Sequence, residues 1–115
     1  MYDLEDRTLK LAVRVREFVK LLPKTVSNFE DSKQIIRSSG SVGANYIEAN
    51  EALSHKDFIL RLRISRKESR ETLYWLNIIH KSNDLTHEVR MKCESLIKES
   101  NEIRNILSAI IKKSV

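Results

Sequence analysis

Over its whole length the chain carries one proline, Pro23, and two glycines, Gly40 and Gly43. These residue types supply most sharp turns, because glycine tolerates positive φ and proline fixes φ at about −65°. An all-β fold needs a turn every few residues, so three breakers in 115 residues disfavour one. A few long helices joined by short connections suit the sequence instead. The length is that of a single domain, residues 1–115, large enough to bury a core without disulfides or a metal.

Hydrophobic spacing divides the chain into four amphipathic helices, about 3–22, 29–53, 55–81 and 86–113. In the first, Leu4, Thr8, Leu11, Val15, Phe18 and Leu22 step by four and three along one stripe. Pro23 ends or kinks it, and Ser27 or Asn28 is a suitable N-cap for the next. The second carries Ile35, Ser39, Val42, Tyr46, Ala49 and Leu53, with Ile36, Gly43 and Ile47 beside them. Ser54 and Asp57 have the form of a capping box with Asp in place of Glu. Beyond them Phe58, Leu62, Ser65, Ser69, Thr72, Leu76 and Ile79 keep the same rhythm. Ser82-Asn83-Asp84 is turn chemistry, and Val89, Cys93, Leu96, Ser100, Ile103, Leu107 and Ile110 form a heptad seam. Short connections make consecutive helices antiparallel neighbours, so the fold class is an all-α, up-down-up-down four-helix bundle.

The single cysteine, Cys93, forms no intramolecular disulfide. The start Met1-Tyr2-Asp3-Leu4-Glu5-Asp6-Arg7 is polar, unlike a signal peptide, and no apolar run approaches the roughly 20 residues of a membrane span. A cytoplasmic, reducing location is expected. Lys and Arg number 21 against 16 Asp and Glu, a formal net charge of +5. That balance fits an acidic partner such as nucleic acid, although on charge alone a solvated basic surface is the better account, small basic domains without nucleic-acid ligands being common.

Ser38-Ser39-Gly40-Ser41-Val42-Gly43-Ala44-Asn45 lies in mid-helix, where each glycine costs about 1 kcal/mol relative to Ala. Close approach of another backbone would offset that cost, with Gly43 at the crossing and Gly40 toward its edge, where it could touch a neighbouring subunit. Gly40-Ser41-Val42-Gly43 also spells a G-x-x-G string, but no strand surrounds it as a KH-type clamp requires. A P-loop would end in Gly-Lys-Ser/Thr after a strand, and both features are missing. Asn45, Glu48, Asn50 and Glu51 follow on the second helix, while Glu68, Glu71, Trp75 and Ile64 share a flank of the third. Glu48, Glu68 and Glu71 raise acid–base or metal-assisted hydrolysis. A di-metal bundle needs paired Glu-x-x-His motifs, which are absent, and His55, His80 and His87 are scattered near helix ends. Cys93 sits on a core stripe as a small hydrophobe. Neither a catalytic residue, a metal nor a cofactor is expected.

The third helix is the most basic stretch: Arg61, Arg63, Arg66, Lys67 and Arg70 fall within ten residues. Arg63, Lys67 and Arg70 share a face, with Lys56 one heptad earlier. Either this is a solvated face paired with glutamates, or Lys56, Arg63, Arg66, Lys67 and Arg70 contact phosphates. Only Tyr74 follows the stripe, which argues against base stacking and for backbone binding without sequence preference.

Two strings resemble a known family. Gln34-Ile35-Ile36-Arg37-Ser38-Ser39-Gly40-Ser41-Val42-Gly43-Ala44-Asn45-Tyr46-Ile47-Glu48-Ala49 is one. The other is Asp57-Phe58 with Ile64-Ser65-Arg66-Lys67-Glu68-Ser69-Arg70-Glu71-Thr72-Leu73-Tyr74-Trp75-Leu76. They are similar to the bacterial four-helix-bundle proteins encoded within intervening sequences of 23S ribosomal RNA genes. The chain also resembles the accessory variability determinant of diversity-generating retroelements. The resemblance spans nearly the whole chain and implies a ring-like homopentamer. Its retroelement branch implies nucleic-acid binding and association with a reverse transcriptase. The motif is closer to the intervening-sequence branch, whose name records genomic location and no activity. Together these readings give a non-catalytic oligomeric bundle that binds structured RNA or DNA through a basic surface. The alternative is an adaptor docking on a partner enzyme without touching nucleic acid. Ser39, Gly40, Gly43, Asn45, Glu48, Glu68, Glu71 and Trp75 are the residues expected to serve helix packing or assembly.

Overall fold

A computed structural model of the chain describes residues 3–115. The polar reading of Met1 and Tyr2 lies outside the described residues. Four helices follow one another: α1 (Leu4–Val19), α2 (Val26–Asn50), α3 (His55–Ser82) and α4 (His87–Ser114). Each begins on a polar side chain that accepts from the amide three residues on: Asp3 from Asp6, Thr25 from Asn28, Ser54 from Asp57, and Thr86 from Val89. Such caps satisfy one of the first-turn amides that have no partner within the helix.

Several boundaries differ from the sequence reading. The first helix stops at Val19, before Pro23, and Leu22 reaches the core from the connection that follows. The cap of α2 is Thr25, not Ser27 or Asn28, because the Asn28 side chain is occupied elsewhere. Its Nδ2 donates to the Pro23 carbonyl at 2.9 Å and to Asn83 Oδ1 at 2.7 Å, tying the first connection to the third. The helix ends at Asn50, so Leu53 falls in the α2–α3 connection and is fully exposed. Only the Ser54 half of the capping box forms; Asp57 turns toward Arg61 Nε, 3.8 Å away.

Cross-helix contacts fix the directions. Thr8 meets Gly43 while Glu5 bonds Asn50; Ser65 bonds Val42 while Thr72 bonds Ser38; Cys93 bonds Leu76 while Ser69 bonds Ser100. In every pair one number rises as the other falls, so successive helices run antiparallel. Arg7 with Glu99 and Arg14 with Ser95 show the same for α1 and α4, which closes the bundle. The body measures 45 × 24 × 20 Å. Among the described residues, no helix is long and apolar enough to cross a membrane.

The core is largely apolar, with Leu4, Leu11, Phe18, Leu62, Leu76, Ile79, Leu96, Ile103 and Leu107 buried. Interleaved with these toward the middle are small residues: Thr8, Ser38, Ser39, Gly43, Ser65, Ser69, Thr72 and Ser100 are all buried. Small side chains let the backbones approach, and four of the hydroxyls, on Ser38, Ser65, Ser69 and Thr72, bond across the gap. Thr8 and Ser39 bond within their own helices, and the buried Ser100 Oγ has no partner. Ser65 Oγ donates to the Val42 carbonyl at 2.7 Å and Ser69 Oγ to the Ser100 carbonyl at 3.0 Å. Ser38 Oγ and Thr72 Oγ1 are 3.0 Å apart. Buried hydroxyls satisfied in this way cost little.

Candidate nucleic-acid interface

The small-residue layer sets the register of α2 against α3, and that register places Arg37 beside two carboxylates. Arg37 donates Nη1 to Glu68 Oε2 at 2.8 Å and Nη2 to Glu71 Oε2. Glu68 is buried while Arg37 is half-exposed. Burial pushes the Glu68 carboxyl up, but the Arg37 hydrogen bonds and charge, with Lys67 nearby, outweigh it and hold the group below the ordinary range. The Glu68 hydrogen bond in turn raises Arg37. Glu68 is therefore kept ionised, in a structural ion cluster with Arg37 and Glu71.

With Glu71 engaged by Arg37, the outer surface of α3 is dominated by cations. Arg63, Arg66, Lys67 and Arg70 line one shallow cleft of about 460 Å³ with Glu71 and Tyr74. Arg63, Lys67 and Arg70 are exposed, and among the described residues none of the three forms an ion pair or side-chain hydrogen bond. Arg66 is half-buried and reaches Ser108 Oγ at 3.4 Å. Arg61 turns away toward Asp57 and Asn45. Lys56 lies apart, lining a different depression at the end of the bundle with His55, Leu60 and Val115. Arg63 borders both depressions, so Lys56 extends the stripe but does not join the cleft.

The other singled-out residues scatter. Ser39 and Gly43 are buried at helix contacts, and Gly40 is half-buried with Arg16 Nη2 3.6 Å from where a methyl would stand. Asn45 donates to its own helix at the Ser41 carbonyl, 2.9 Å away. Trp75 packs partly buried against the core and meets Tyr74 edge-on, ring centres 5.3 Å apart. Glu48 is exposed eleven residues beyond Arg37 on α2, roughly 16 Å along the helix, so it does not join Glu68 and Glu71. His80 pairs with Glu94 at 3.0 Å and His55 contacts the Ser114 carbonyl. Burial, and secondarily Glu94, push the Cys93 thiol up to about 11, so it stays protonated at neutral pH. Among the described residues, no three His, Cys, Asp or Glu side chains are grouped as a metal site needs.

Sequence reasoning missed Arg37. Its partners are 31 and 34 residues away, and their meeting depends on how far α2 slides along α3. The available signal was the three-residue spacing of Glu68 and Glu71, which one forked guanidinium can bridge.

The class this defines is an antiparallel four-helix bundle with Arg63, Lys67 and Arg70 exposed on the outer face of α3. By sequence the chain belongs to the 23S rRNA-intervening sequence protein family, whose pattern matches residues 2–109. A crystal structure of a protein of unknown function from the S23 ribosomal protein family of Bacteroides thetaiotaomicron is similar to it. The two share 42% identity with a TM-score of 0.82, over 94% of this chain and 97% of that one. No curated protein matches the chain.

Proposed function

We propose that this protein is a non-catalytic, oligomeric bundle that binds the backbone of RNA or DNA through the outer face of α3. The observation that carries this reading is the cleft ringed by Arg63, Arg66, Lys67 and Arg70, whose one carboxylate, Glu71, is engaged by Arg37. Cations facing water without carboxylate partners offer their full charge to phosphate oxygens. The net charge of +5 is in keeping with the same reading. The non-catalytic part rests on groups already engaged: Glu68 and Glu71 by Arg37, and a thiol kept protonated at Cys93.

Self-assembly belongs to the proposal. Leu9, Val13 and Ile47 are about half to two-thirds exposed beside the Thr8–Gly43 crossing, an apolar surface suited to a second copy. The resemblance supplies the number, five, and a ring of five would carry a formal charge of about +25 and so a stronger field than one copy. The test of binding is fluorescence anisotropy with a labelled RNA hairpin at low salt. Wild type should bind, and the Arg63→Glu, Lys67→Glu, Arg70→Glu variant should lose at least 100-fold in affinity while keeping its melting temperature. Equal binding by both would overturn the proposal.

A further inference from the structure

Tyr74 stands at the junction of two surface features. On one side is the cleft with Arg63, Arg66, Lys67 and Arg70; on the other is an apolar depression formed with Asn77, Ile78, Lys81 and Ser82. Arg63, Lys67, Arg70, Tyr74 and Lys81 step by four, three, four and seven, which places them on one line along α3, roughly 27 Å from end to end. Tyr74 is 61% exposed, and its ring rests edge-on against Trp75, which is itself packed on the core. An exposed aromatic ring, braced from behind and set in a row of cations, is the arrangement on which unpaired bases stack while their phosphates follow the charge.

We infer that Tyr74 is a stacking platform for an unpaired base, so that the preferred ligand of this face is single-stranded nucleic acid. The phosphates run along Arg63, Lys67 and Arg70, the base lies against Tyr74 over the apolar depression, and Lys81 receives the phosphate beyond it. The inference rests on the proposed binding function and narrows it, because in a duplex the base faces are already stacked on each other. It also reverses the sequence-based expectation against stacking. Tyr74 is one aromatic in the stripe, but it occupies the place where the basic track meets the apolar surface.

The test compares 12-nucleotide single strands of RNA and of DNA with blunt 12-base-pair duplexes of each. Wild type, Tyr74→Ala, Tyr74→Phe and Lys67→Glu are measured at one low salt concentration. Wild type should bind single strands more tightly than duplex. Tyr74→Ala should weaken single-strand binding about 10-fold or more, the size of one stacked base, and leave duplex binding unchanged. Tyr74→Phe should restore the single-strand affinity, since a ring is all that stacking needs. If Lys67→Glu weakens binding and Tyr74→Ala does not, the stacking platform is overturned and backbone binding stands. If wild type binds none of the four probes, both are overturned. A preference for RNA or for DNA among the single strands identifies which of them supplies the base.

Discussion

Glu68 is a buried carboxylate whose charge is held chiefly by Arg37. A carboxyl held below its ordinary value in the fold adds stability that is present above about pH 4.3 and is lost as the pH falls through the lowered value. Removing the partner reverses the sign. In Arg37→Met, burial acts on Glu68 without the guanidinium, its pKa rises, and protonation then favours the fold. Breaking a fully buried pair costs about 3–5 kcal/mol. Arg37 is half-exposed and water can enter its place, so a cost of about 1–3 kcal/mol at pH 7 is expected. Urea unfolding at pH 7 and at pH 4 checks this, with the penalty shrinking at the lower pH. A penalty that does not change with pH would show that Glu68 is not the group left unpaired.

At the scale of the helices, the two glycines of α2 occupy different surroundings three residues apart. A methyl on Gly43 would stand 2.7 Å from Thr8 Oγ1 and 3.0 Å from Thr8 Cβ. Thr8 is buried and its hydroxyl bonds the Leu4 carbonyl at 2.6 Å, so it cannot easily yield. Gly43→Ala should therefore lower stability by about 1–3 kcal/mol through overpacking, despite the better helix former. At Gly40 a methyl meets only the flexible end of Arg16, and Ala should raise stability by up to about 1 kcal/mol. Urea midpoints of the two variants give the comparison; stabilisation at both positions would remove the close α1–α2 crossing. Much of this element-level structure is legible in sequence. Every residue of the α1 stripe, from Leu4 to Leu22, is buried. On α4 the expected seam from Val89 to Ile110 is buried from Cys93 to Leu107, while Val89 and Ile110 stand half out and the last buried position is Ile111. A helix of 3.6 residues per turn drifts about 20° per heptad from a strict seven-residue repeat. Leu53 continues the α2 pattern beyond the last helical residue, because periodicity does not encode where a chain turns. The candidate site was legible as a charged stripe, since its residues lie on one helix. Its relation to Arg37 was not, because that depends on packing between two helices.

For the whole molecule, the bundle is a rod of 45 × 24 × 20 Å with α3 carrying the basic track along it. Light scattering should give a mass about five times the 13.4 kDa of one chain if the proposed ring forms. A monomeric mass at micromolar concentration would exclude it, leaving α3 to act with the charge of one copy. The central proposal, that this track neutralises phosphates, is tested most directly by the salt dependence of binding. Each phosphate neutralised on a single strand contributes about −0.7 to the slope of log Kobs against log salt concentration. Arg63, Arg66, Lys67 and Arg70 together predict a slope of about −3, and a steeper one if neighbouring copies engage the same strand. Measured with a single-stranded oligonucleotide from about 50 to 200 mM KCl, a slope of that size is the expected result. A slope near zero, or no binding at the lowest salt, would contradict it.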